Sequence, residues 1–184
     1  MKVEHLKWAF VAAVVVVFLP WMLIVHSRES SSQDFIEGEK QFAKPSVKIK
    51  FSKNIQWDGQ SFLGRGRKAG FWDWSPKGVV LTQKGQLLFG DDQTSISGDV
   101  IMGTRKITTV KSVQPNGNDR EVIFLFAWTE LTDIAALLNV QPVIGKEYQA
   151  VAVLTEENGA WKLKSLSTPD YSTSLDVLAT ETKR

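Results

Sequence analysis

Residues 148–166, YQAVAVLTEENGAWKLKSL, decide the fold. Tyr148 to Thr155 and Ala160 to Leu166 are rich in strand formers, and Glu156-Glu157-Asn158-Gly159 lies between them. Asn-Gly accepts the positive φ angles of a tight hairpin turn, so the stretch predicts two antiparallel strands. On the second strand Trp161 and Leu163 share one face, while Lys162 and Lys164 share the other. An antiparallel sheet therefore closes the chain.

Working upstream, Glu121 to Trp128 is apolar from Val122 onward without alternation, which predicts a mid-sheet strand covered on both faces. Lys106 to Val113 reads as its partner, with Gln114-Pro115-Asn116-Gly117 as the connecting turn. Trp128 and Trp161 fall on the apolar sides of their strands. Leu131, Ile134, Ala135 and Leu138 follow helical spacing and predict a short helix over the sheet, ended by Asn139 and Pro142. Val79 to Leu81 reads as a short strand, followed by Thr82 as the cap of a helix that reaches Phe89 and stops at Gly90. Asp91, Asp92 and Asp99 are assigned to a polar loop. Glycines and prolines break up Asp58 to Gly78, a region that also holds Phe71, Trp72 and Trp74. Val47, Ile49, Phe51, Ile55 and Trp57 alternate with polar residues and predict a half-buried strand over Val47 to Trp57. A brief helix is expected over Asp34 to Phe42, before Pro45.

The beginning of the chain is of another kind. From Trp8 to Val25 no charged residue occurs, and a helix of that length, about 27 Å at 1.5 Å per residue, nearly spans a bilayer core. Trp8 and Trp21 sit near its ends, where indoles favour the headgroup region. A cleaved signal peptide is the rival, with Lys2 and Lys7 as its positive region and Val25-His26-Ser27 as a loose cleavage site. The apolar run is longer than such segments usually are, and His26 and Arg28 suit a cleavage site poorly, so the expectation is an uncleaved anchor. The basic residues at the N-terminus place that end in the cytoplasm and the remaining domain in the periplasm or exterior. The expected organisation is a flank over 1–7, a transmembrane helix over 8–26 that engages the bilayer, and a polar spacer with a short helix over 27–45. A β-rich globular domain over 46–168 and a loosely ordered tail over 169–184 complete it. The fold class is thus an N-terminal transmembrane helix followed by an α+β, mainly antiparallel β-sheet domain with one or two short covering helices.

Composition narrows the chemistry. The chain of 184 residues contains no cysteine, and its two histidines, His5 and His26, flank the apolar segment. The exposed part therefore has no histidine base, thiol nucleophile or cysteine-ligated metal to offer, which points to a non-enzymatic protein without cofactor or metal. Carboxylate chemistry stays open, with Asp58, Asp73, Asp91, Asp92 and Asp99 as candidates. Asp73 between Trp72 and Trp74 resembles a glycosidase carboxylate near aromatic rings, or else points to solvent from a turn.

Charge is unevenly spread. Residues 44–68 hold seven basic side chains against Asp58 alone, and residues 121–157 hold six acids against Lys146 alone. Lys48, Lys50, Arg65, Arg67 and Lys68 are the candidate binding residues, for an anionic lipid or envelope polymer. Their bland reading is a solvated face that discourages edge pairing. Gly64-Arg65-Gly66-Arg67-Lys68-Ala69-Gly70 lacks the closing Gly-Lys-Ser/Thr of a phosphate loop. The formal net charge of +2 gives no reason to expect a nucleic acid.

Three segments together resemble poorly characterised bacterial envelope proteins: Val80-Leu81-Thr82-Gln83-Lys84-Gly85 leading to Phe89, Arg105 to Val113 with Glu121 to Trp128, and Tyr148-Gln149-Ala150 with Gly159-Ala160-Trp161-Lys162. The closing hairpin is also similar to the last strands of cystatin-like and nuclear-transport-factor-2-like domains, which implies fold and no site. The leading expectation is a single-pass envelope domain that binds a partner protein or an anionic surface. The alternatives are a pocket for a small molecule or lipid between the sheet and the Leu131 to Leu138 helix, and a carboxylate-dependent glycan hydrolase.

Overall fold

The computed structural model describes residues 31–53, 62–90, 95–138 and 140–169. The apolar segment over 8–26, Ile55 and Trp57 of the first predicted strand, Asp58, Asp91, Asp92 and nearly all of the predicted tail lie outside the described residues. Among the described residues, no helix is long and apolar enough to cross a membrane.

The architecture is mainly antiparallel β-sheet with short helices. Helical residues 31–38, here α1, run into α2 (Lys40–Ala43) and then β1 (Ser46–Ser52). After α3 (Phe62–Lys68) come the paired strands β2 (Trp72–Ser75) and β3 (Gly78–Leu81), then α4 (Gln83–Phe89) and β4 (Ser95–Ile101), which returns to pair with β1. The rest is a four-stranded meander of β5 (Gly103–Asn116), β6 (Asp119–Leu131), β7 (Glu147–Glu157) and β8 (Ala160–Ser167), in that spatial order. A single 3-10 turn, Asp133–Leu137, takes the place of the predicted Leu131 to Leu138 helix.

The closing hairpin forms around Asn158 and Gly159, whose φ angles of 55° and 76° are those of a two-residue turn with both central residues left-handed. A bulge next to Val153/Leu154 leaves Lys164 out of the pairing and turns Leu166 to the same side as Leu163. β6 lies inside the sheet as expected. Its Val122, Phe124, Phe126 and Trp128 are buried, whereas Ile123 and Leu125 on the other face are only half-buried. The strand therefore has one fully covered face, not two. Small residues on β7 make room for large ones on β6, with Ala152 opposite Val122 and Ala150 opposite Phe124.

Three more differences from expectation have physical causes. Ile36 and Phe42 are fully buried, and Phe42 meets Phe124 and Phe126 edge-on at 5.5 and 5.9 Å. The segment 31–43 is therefore part of the packed domain, which reaches back beyond residue 46. The stretch after Asp58 is more regular than its glycines suggest, because Phe62, Phe71 and Trp72 join Phe51 and Phe89 in a second aromatic cluster with centroid spacings between 5.1 and 6.1 Å. Burial of those rings holds α3 and β2 in place. β4 forms where a polar loop was expected, because Ile96 and Val100 turn inward opposite Phe51 and Val47. α4 agrees closely with its reading: Thr82 accepts from the Gly85 amide at 3.1 Å, and Gly90 ends the helix with φ 71°.

Trp128 is 1% exposed, whereas Trp161 is half-buried and lies under the Arg120 guanidinium at 3.9 Å. Trp128→Ala should cost about 3–5 kcal/mol, the range for a large core aromatic, and Trp161→Ala clearly less. Denaturant unfolding of the two variants checks this, and equal losses would contradict the placement of Trp128 in the core.

Candidate functional site

The basic residues fall on two elements. β1 alternates strictly, with Val47, Ile49 and Phe51 buried and Ser46, Lys48, Lys50 and Ser52 exposed. Lys48 and Lys50 thus share the outer face of the strand, close in sequence to the exposed Lys44. In the β4 register Lys48 stands opposite Asp99 and Lys50 opposite Ser97.

α3 carries the other three. It packs on the inner side of β1, where the Phe51 and Phe62 rings meet at 5.1 Å. β1 therefore separates Lys48 and Lys50 from Arg65, Arg67 and Lys68, and the five are not brought to one face. The Arg65 Nε–H donates to the carbonyl of Leu137 at 2.7 Å, linking α3 to the 3-10 turn. The Arg67 Nε–H is 2.8 Å from Asp73 Oδ1, an ion pair with both side chains about half exposed. Lys68 is exposed at the helix end. At the end of the 64–70 segment the Ala69, Gly70 and Phe71 amides are not turned to a ligand, because they donate to the carbonyls of Arg65, Arg67 and Gly66.

Asp73 takes the solvent-facing alternative. It is exposed, its Oδ1 also accepts from the Trp74 amide, and Trp72 packs inward. On the acidic half of the chain, Asp133 is paired with Lys84 and Glu157 with Lys162. Asp119 accepts from Lys164 at 2.6 Å, and that hydrogen bond, assisted by one from Thr155, holds its carboxyl below the ordinary aspartate range. Among the described residues, no group of three or more acidic side chains is placed to hold a metal ion.

Sequence reading missed the most unusual polar group. Arg105 on β5 is 6% exposed. Its Nε–H donates to the Phe42 carbonyl at 2.8 Å and its Nη2 to the Gln41 carbonyl at 3.0 Å. Its guanidinium carbon lies 5.1, 5.1 and 5.2 Å from the ring centres of Phe42, Phe126 and Trp128. Burial pushes its pKa down to about 10, so the group remains a cation at neutral pH. Beside it is a cavity of about 270 Å³, lined by Arg105 and Trp128 together with residues of the α2–β1 junction and the end of β8. Of the helices only α2 reaches it, through Gln41, and no residue of the Leu131 to Leu138 segment lines it. A second, more open cavity of about 500 Å³ lies between the β5–β6 and β7–β8 turns, next to Arg120, Glu156 and Trp161. No family model matches the chain, and neither does any curated protein or solved structure.

The α3 platform that presents Arg65 and Arg67 depends on Gly66. A Cβ there would stand 1.9 Å from Trp72 Cζ2, and the indole cannot easily yield, because its Nε1–H donates to the Leu63 carbonyl at 2.8 Å. Gly→Ala inside a helix normally stabilises by about 1 kcal/mol. Here Gly66→Ala should lower the melting temperature, whereas Gly38→Ala, with nothing within 4 Å of the added carbon, should not. A Gly66→Ala protein melting at or above the parent temperature would contradict this packing.

Proposed function

We propose that this chain is a non-catalytic, membrane-anchored binding domain that lies against an anionic lipid surface through the outer face of β1. In this reading the apolar segment 8–26 spans the bilayer with its N-terminus in the cytoplasm. The folded domain stands on the other side, close to the headgroups. The observation that carries the reading is the period-two exposure of Lys48 and Lys50 on a strand that follows the apolar segment by about twenty residues.

The chemistry favours lysine on that face. An ammonium on a flexible stem reaches a phosphate oxygen without a fixed geometry, and each basic residue near an anionic surface contributes about 1 kcal/mol. Arg65 and Arg67 play a different part, since each already engages a group within the domain. Lys68 is exposed and remains a candidate for a second contact.

The full-length chain, reconstituted into nanodiscs of neutral or of anionic phospholipid, tests the reading through acylation of its lysines followed by mass spectrometry. Lys44, Lys48 and Lys50 should react more slowly on the anionic discs, and Lys162 and Lys164 should react equally on both. The protection should fade as the Debye length falls from about 10 Å at 0.1 M salt to about 3 Å at 1 M. Equal reactivity of Lys48 and Lys50 on the two lipids would overturn the surface assignment.

A further inference from the structure

Arg105 is a buried cation whose hydrogen-bonding capacity is only partly used. A guanidinium has five N–H donors. One Nε and one Nη2 hydrogen serve the carbonyls of Phe42 and Gln41, which leaves three. Among the described residues no carboxylate forms an ion pair with Arg105. The three aromatic rings around it offset part of the cost of burying the charge, as cation–π contacts do. A buried charge without an opposite charge is nevertheless expensive, and an anion seated beside it would recover much of that cost.

A second polar group points to the same place. The Trp128 indole N–H is buried and has no hydrogen-bond partner among the described residues, although buried donors are nearly always satisfied. Trp128 stands directly opposite Arg105 in the β5–β6 register, and both side chains line the cavity of about 270 Å³. The remaining lining includes the apolar Val47, Met102 and Leu166. This volume is just below the range of about 300–1,000 Å³ typical of pockets for drug-sized ligands, so it suits a small molecule. A guanidinium edge matches the two oxygens of a carboxylate, and an indole donor beside it adds a third hydrogen bond.

We propose that this cavity binds a small organic acid, its carboxylate taken by the remaining donors of Arg105 and by the indole N–H of Trp128, with its apolar part against Val47, Met102 and Leu166. The site is independent of the lysine face of β1, and the two can fail separately. Specificity follows from the donor set: a neutral amide of the same shape presents one acceptor and two donors to groups that can only donate, so it should be rejected.

Fluorine NMR of fluorobenzoate and of fluorobenzamide, each added to the full-length chain in neutral detergent and referenced to micelles alone, tests the proposal. Fluorobenzoate should shift and broaden with saturation in the millimolar range or below, and fluorobenzamide should not respond. In the nitrogen–proton spectrum the one indole signal missing from Trp128→Phe should move as fluorobenzoate is added to the parent protein. Trp128→Phe, which keeps an aromatic ring but removes the donor, should weaken binding severalfold. Arg105→Met should remove it, and if that variant does not fold the Trp128→Phe result still decides. Equal response to the acid and the amide, undiminished binding in Trp128→Phe, or an unmoved Trp128 indole signal would each overturn the proposal.

Discussion

The structure turns on one buried cation. Arg105 joins segments more than sixty residues apart, because its guanidinium holds two carbonyls near the end of α2 while its stem belongs to β5. The last carbonyls of a helix have no partner within the helix, and a planar guanidinium can serve two of them at once in a fixed fork. Phe42, whose carbonyl is one of those bonded, also lays its ring against the same guanidinium and against Phe124 and Phe126. Polar and apolar contacts thus fix a single position for the N-terminal helices over the sheet. A hydrophobic surface alone would specify that position less sharply, since apolar contact is non-directional.

The two aromatic clusters divide the labour of the core. Phe42, Phe124, Phe126 and Trp128 join the N-terminal helices to the meander, while Phe51, Phe62, Phe71, Trp72 and Phe89 join β1, α3, β2 and α4. Both belong to one continuous core, and β1 carries Phe51 of the second cluster. The alternation of β1 then has two consequences: it seals the core with Val47, Ile49 and Phe51, and it leaves Lys48 and Lys50 exposed on the outer face. The lysine face is a by-product of core packing that the proposed surface role would exploit. The Arg105 cavity is different in kind, because nothing about packing a β-sheet requires a buried guanidinium.

Local signals were legible where they are local in cause. The Asn158-Gly159 hairpin, the Thr82 cap, the Gly90 stop and the alternation of Val47 to Phe51 all follow from the backbone preferences of a few adjacent residues, and each is found as read. The strand Ser95–Ile101 was hidden because Gly98 and Asp99 interrupt its apolar pattern, and only its pairing with β1 supplies the stabilisation. The helix over Phe62–Lys68 was hidden for the opposite reason: Gly64 and Gly66 disfavour a helix, yet Gly66 is what lets Trp72 approach. Of the candidate site, the exposure of Lys48 and Lys50 was readable from period two. The separation of α3 from them, and the engagement of Arg65 and Arg67, depend on tertiary contacts that spacing does not encode. Arg105 gave no signal, because a single arginine in a strand reads as an exposed cation until three rings are folded around it.

If Arg105 is what positions the N-terminal helices, replacing its fork by a point charge should loosen them without disturbing the sheet. Amide hydrogen exchange of Arg105→Lys in the full-length chain measures this directly. The amides of Phe42, Ala43 and Lys44, which donate within this segment, should lose protection relative to the parent protein, while β6 and β7 keep theirs. Unchanged protection at residues 42–44 would show that hydrophobic packing alone holds the helices, and would contradict the positioning role of Arg105.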